Sequence, residues 1–195
     1  MIITEIVTPP AMATAKTGSF YLTETVEIPA GSPDGTRVQG AIDLGAYVNV
    51  PTGQAIAIDS VDVVWQSASD YGADVVLMLA GNGSLSHQLT DLNPGNAFVR
   101  ADDQSLIASG AMAIDAANGI ATHTSDLYPD NFGPTALSEA FMVVNDNLYL
   151  VAGVDAGAGT GARINYCSIR IRARVVKLST KDWMAIAIQS TASDS

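Results

Sequence analysis

The chain is short of cysteine, of positive charge and of helical periodicity, and each shortage closes off a class of function. Cys167 is the only cysteine in 195 residues, so no disulfide forms within the chain and no cysteine set holds zinc. Two histidines, His87 and His123, complete the soft-metal ligands. Nine Lys and Arg stand against twenty Asp and Glu, a net charge of −11. A chain so acidic is repelled as a whole by nucleic-acid phosphate and anionic lipid, so strong nucleic-acid contact is not expected. No apolar run exceeds the six residues of 75–80, against the roughly 20 that a membrane-spanning helix needs. The first ten residues have no basic start and no long apolar stretch, so a secretory leader is not expected and cytoplasmic manufacture is. Charged residues make only 15% of the chain, below the roughly 25% usual for soluble domains. Less charge means less surface that must face water. That fits a protein that covers itself with its own copies, although alanine richness alone is the plainer reading.

What is present has a period of two. Residues 20–28, 37–50, 54–66, 73–80, 141–144, 148–151 and 163–178 read as strands, with 183–188 as a last short one. In 54–66, Ile56 and Ile58 fall out of phase with Val61 and Val63, so a β-bulge is expected near Asp59 and Ser60. The turn-rich stretch 29–35 separates the first two strands, and Asn145-Asp146-Asn147 reads as a tight hairpin. Residues 105–117 are the best helix candidate, interrupted by Gly110, and 119–134 reads as a long surface loop. Eight or nine strands spaced by turns, with seventeen Gly and eight Pro, predict an all-β antiparallel fold, a β-sandwich or a barrel. A single domain is expected over 1–195, with an N-terminal arm of about 1–18 and a tail of about 189–195.

The positive charge is concentrated. Six of the nine basic residues lie in 163–181 with no acid among them, whereas 38–162 holds fourteen acids and one Arg. Within the last strand, Tyr166, Ser168, Arg170, Arg172 and Arg174 share one face, and Cys167, Ile169, Ile171, Ala173 and Val175 the other. Guanidinium groups spaced about 7 Å apart repel one another unless anions lie against them. Acidic side chains of a neighbouring strand or subunit, nucleic-acid phosphate, or a solvated face with an edge-protecting charge set are the alternatives. Arg170, Arg172, Arg174, Lys177 and Trp183 are therefore the subunit-interface candidates.

No catalytic signature accompanies them. Ser84, His87 and Asp91 lie close in sequence, as do His123, Ser125 and Asp126, but neither set has a nucleophile elbow or oxyanion hole. Gly157, Gly159 and Gly161 precede a strand rather than a helix and lack the lysine of a phosphate loop. Cys167 alternates with the arginines and so points inward as a structural thiol. No cofactor is expected. Calcium at an interface is the one metal the loops admit, from Asp102 and Asp103, Asp70 and Asp74, or Asp126 and Asp130.

Three stretches, IDSVDVVW at 58–65, VVNDNLYL at 143–150 and RARVV at 172–176, resemble parts of small single jelly-roll capsid proteins of tailless icosahedral viruses of archaea and bacteria. The resemblance implies an antiparallel sandwich of single jelly-roll type and a non-enzymatic virion subunit, made and assembled in the host cytoplasm. Its partners would be copies of itself and other capsid proteins, with an internal viral membrane nearby and no small-molecule substrate. The basic N-terminal arm of some coat proteins is missing, since Lys16 is the only basic residue before Arg37. A carbohydrate- or receptor-binding module, such as a phage fibre or decoration protein, is the alternative; it would place aromatics on an exposed face.

Overall fold

A computed structural model describes residues 13–68, 71, 75–125 and 140–191. Ten strands follow in order: β1 (Ala13–Ala15), β2 (Phe20–Ile28), β3 (Arg37–Asp43), β4 (Gln54–Ser67), β5 (Gly83–Thr90), β6 (Leu106–Asp115), β7 (Ile120–Ser125), β8 (Phe141–Val143), β9 (Asn147–Asp155) and β10 (Asn165–Leu178). One helix, α1 (Thr180–Thr191), ends the described chain. All pairings are antiparallel.

The strands form two five-stranded sheets. In one, β10 lies between β4 and an edge shared by β2 and β1, with β8 beyond β4; the other runs β3-β9-β5-β6-β7. We call them the β10 sheet and the β9 sheet. The pairing is nested: β2 with β10, β3 with β9, β4 with β8, β5 with β6. First pairs with last and second with next to last, as in a long hairpin rolled up, and the chain changes sheet between successive members except at β5 to β6. That is a single jelly roll, with β1 and β7 added at its margins.

The core lies between the sheets and is made by alternation. From β4 come Ile56, Ile58, Val61 and Trp65, from β5 Leu85 and Leu89, from β9 Leu148, Leu150, Ala152 and Val154, and from β10 Cys167, Ile169, Ile171, Ala173 and Val175. Removing each large aliphatic chain from water contributes roughly 2 kcal/mol. The bulge expected in β4 is present. Ser60 pairs with Arg172 and Ile58 with Ala173, so Asp59 is the extra residue that resets the alternation.

Several expectations are corrected. Residues 75–80 are not a strand: Val75–Met78 is a 3-10 helix, with Leu79 bridging Thr160. It plugs one end of the sandwich, and Met78 and Leu79 enter the core; a short apolar run cannot distinguish a plug from a strand. Residues 105–117 form β6 rather than a helix, and 120–125, expected as loop, form β7; 126–134 lie outside the described residues. The strand expected over 37–50 stops at Asp43, whose Oδ1 accepts a bond from Gly45 N (2.8 Å) and turns the chain. Asn145 and Asp146 make no hairpin, because β8 and β9 belong to different sheets. Residues 183–188 are helical. Of the expected arm, Ala13–Ala15 is strand β1; of the expected tail, 189–191 end α1.

One sheet is covered on its outer side. The 91–105 segment crosses the β9 sheet, where the Gln88 amide donates to Val99 O (3.0 Å) and accepts from Val99 N (2.8 Å). Gln39 donates to Asn93 Oδ1 (3.0 Å) and Gly95 O (2.8 Å), and the Arg37 guanidinium lies 4.4 Å from the Phe98 ring centre. Among the described residues, α1 alone lies over the outer side of the β10 sheet.

Candidate functional site

The outer face of the β10 sheet has two halves. In the first, α1 lies over Ala55, Ala57, Val176 and Leu178, using Trp183, Ile186 and Ala187. Those contacts are spaced three and four apart, as one helix face requires. Ser179 caps the helix: its Oγ accepts from Asp182 N (3.2 Å) and donates to Asp182 Oδ2 (2.6 Å). The opposite face of α1 is apolar too, with Met184 51% and Ile188 61% exposed. A helix apolar on both sides is normally buried on both.

The second half is an open lattice of three strands. In register across β2, β10 and β4 lie Tyr21, Arg172 and Ser60; Thr23, Arg170 and Asp62; Thr25, Ser168 and Val64; and Glu27, Tyr166 and Gln66. Thr23, Thr25, Asp62, Val64, Gln66, Ser168 and Arg170 line a shallow trough of about 580 Å³. Tyr21 bounds one end, and the Arg170 guanidinium lies 5.4 Å from its ring centre. Tyr166 and Tyr71 bound the other, their ring centres 6.1 Å apart. Partial burial, then Glu27 and Tyr71, hold the Tyr166 phenol above its usual range, so it stays a protonated donor.

The arginine ladder is thus real, but it is answered from within the chain. Arg174 is ion-paired to Asp59, the bulge residue, which is buried. Asp62 stands directly across from Arg170. Strand β10 is paired on both sides, so its arginines do not protect a sheet edge. Of the five interface candidates, Arg170, Arg172, Arg174 and Trp183 share the outer face. Lys177 falls on the other parity, exposed beside the turn at Gly53 that leads into β4.

The other candidates fall into separate places, and the set of His123, Ser125 and Asp126 lies partly outside the described residues. Ser84 and His87 alternate to opposite faces of β5, so no triad forms. His87 is buried, stacked on His123 with ring centres 6.0 Å apart, and 6.3 Å from Trp65, which lies in the core. Burial pushes the Cys167 thiol far above its normal range, which leaves it inert. Asp102 pairs with Arg100 (3.0 Å), and Asp103 Oδ1 accepts from Ser105 N (2.8 Å) and Oγ (2.7 Å). Asp70, Asp74, Asp126 and Asp130 lie outside the described residues. Among the described residues, no three His, Cys, Asp or Glu side chains gather closely enough to hold a metal ion, and no helix is long and apolar enough to cross a membrane.

Solved structures similar to this chain include proteins of viruses. One is from the triple jelly-roll turret assembly of an archaeal virus, 12% identical, with a TM-score of 0.35 over 85% of this chain and 30% of that one. The chain therefore spans under a third of that protein. Another is Merkel cell polyomavirus VP1 in complex with GD1a oligosaccharide, 11% identical, with a TM-score of 0.39 over 84% and 98% of the two chains. A third, from Desmodium yellow mottle tymovirus, is 9% identical, with a TM-score of 0.31 over 91% and 97%. No family model and no curated protein matches the chain. The jelly-roll assignment stands on the nested strand order.

Sequence reasoning found the arginine face, the inward thiol and the bulge. It missed the trough, because Tyr21, Asp62 and Ser168 come from three distant segments. It also missed α1, although Ser179 and Asp182 have the spacing of a capping box.

Proposed function

We propose that this chain is a self-assembling coat subunit of a virion, and that the outer face of the β10 sheet contributes to contacts between copies. The observation that carries the reading is α1: Met184 and Ile188 form an apolar ridge, one helical turn apart, facing away from the subunit. The β9 sheet is covered by the 91–105 segment, whereas among the described residues only α1 lies over this face. Support also comes from charge, since the basic 163–181 segment borders the ridge while most acids lie elsewhere. Arg172 and Lys177 at the margins would meet a neighbour's carboxylates, and salt would weaken the exposed part of that pairing.

Light scattering with negative-stain imaging, at low and high salt, tests this. Rings or shells are expected for the parent chain. The double variant Met184→Asp, Ile188→Asp should stay monomeric while keeping its melting temperature, because both side chains are exposed. A parent that remains monomeric in every condition, or a variant that still assembles, overturns the reading.

A further inference from the structure

We propose that the trough between Tyr21 and the Tyr71–Tyr166 pair is a binding site for an uncharged glycan. The inference does not depend on the coat reading, since the trough and α1 occupy different halves of the sheet face. Three features meet here.

The first is the floor. Val64, on the outer face of β4, is 53% exposed, with Ser168 across from it on β10 and the hydroxyls of Thr23 and Thr25 lining the same trough. Thr25 Oγ1 and Ser168 Oγ lie 2.8 Å apart, so each still has bonding capacity for an incoming hydroxyl. An apolar patch ringed by donors and acceptors matches a pyranose ring, which has an apolar C–H face and a polar rim.

The second is charge. Arg170 and Asp62 are cross-strand neighbours, so the trough offers a strong donor and a strong acceptor side by side with no net charge between them. That pair can bracket a vicinal diol, the carboxylate accepting from one hydroxyl and the guanidinium donating to the other. A ligand of either net charge meets one attractive and one repulsive partner here, whereas a neutral ligand with both donors and acceptors can use both.

The third is the rim. Tyr21 is 59% and Tyr71 60% exposed, one beside Arg170 and the other beside Tyr166, so each keeps much of its ring surface free for a ligand. Tyr71 has φ of 56°, the left-handed region that bulky side chains avoid. Its carbonyl accepts from Gln66 Nε2 (3.1 Å), a side chain of the trough wall. Strain held in place on a surface is a mark of a functional position, and here it sets a ring at the trough's end.

The test is an array of neutral and acidic glycans probed with the full chain, then titration of the best neutral hit while backbone amide resonances are followed. Retention of neutral glycans is expected, with shifts at Thr23, Asp62, Ser168 and Arg170. Asp62→Ala removes a charge-assisted bond and should weaken binding about tenfold or more; Tyr21→Ala should weaken it as well. Both positions are exposed on the outer face, and an unchanged melting temperature will show that the fold is intact. Arg100→Ala, in the segment that covers the other sheet, should leave binding unchanged. Three results would each overturn the proposal: no glycan retained, retention indifferent to both trough variants, or retention of acidic glycans alone. Trough amides that shift only when copies associate would overturn it too, in favour of a contact between copies.

Discussion

Single residues decide how this sandwich tolerates charge. Asp59 is extra in β4 and buried, and Arg174 closes over it. Removing one partner of a buried pair leaves the other charge uncompensated. Asp59→Ala should therefore lower unfolding stability by about 3 kcal/mol, read from the urea midpoint. Adding Arg174→Met should recover much of that loss, because no lone charge then remains. Glu24 is the opposite case. It lies on the inward parity of β2, between Leu22 and Val26, at the seam with β3. Gly40 leaves room for it: a Cβ there would come within 2.8 Å of Glu24 Oε1 and 2.7 Å of Val26 Cγ1. An inward carboxylate on an edge strand discourages edge-to-edge pairing. Burial raises its folded value above 4.5, partly offset by a bond from the Thr25 backbone. A raised folded value favours the fold below the unfolded value, and that contribution is lost as pH rises through the folded one. Glu24→Gln should therefore melt higher than the parent at about pH 7 and match it near pH 3.

At the scale of elements, the outer apolar cluster depends on α1. Trp183 covers Val176 and Leu178. Trp183→Ala should cost about 2 kcal/mol, below the 3–5 of a fully buried ring, since the side chain is only partly covered. Dye binding to the uncovered patch and a lowered melting temperature would show it; an unchanged chain would mean that α1 is not docked. The elements also show what the sequence could and could not convey. β10 and β2 were legible because each buries one face and exposes the other, which leaves a period of two. β6 was not. Its residues from Leu106 to Gly110 are all buried, because the 91–105 segment covers the outer side of its sheet, and burial on both faces erases alternation. Its alanines then read as helix, and tertiary pairing overrides that propensity. α1 misread in the reverse direction, since alternating Ala and Ile imitate a strand. The crossing at Asn145 was illegible because a turn between sheets and a hairpin use the same residues. It is fixed by distant bonds: Asn145 Nδ2 to Asp91 O (3.0 Å) and Leu44 N to Asp146 O (2.7 Å).

Taken whole, the molecule is organised about β10. That strand pairs with β4, with β2 and with β1, and it is the last strand among the described residues. Synthesis therefore delivers β2 and β4 long before the strand that joins them. The β5–β6–β7 meander can pair as it emerges, and β9 completes its sheet soon after. The β10 sheet cannot close until the end, so Ile28, Ile56 and Ile58 wait without their cover. Pairing over such separations is slow, in the millisecond-to-second class, and refolding should show one late phase in which Trp65 and Trp183 report together. Separate phases for the two tryptophans would contradict this. The ordering acts as a timer: a subunit acquires its outer face, and with it any surface for meeting another copy, only after translation of β10. Incomplete chains thereby lack the outer face on which the proposed contacts between copies rest.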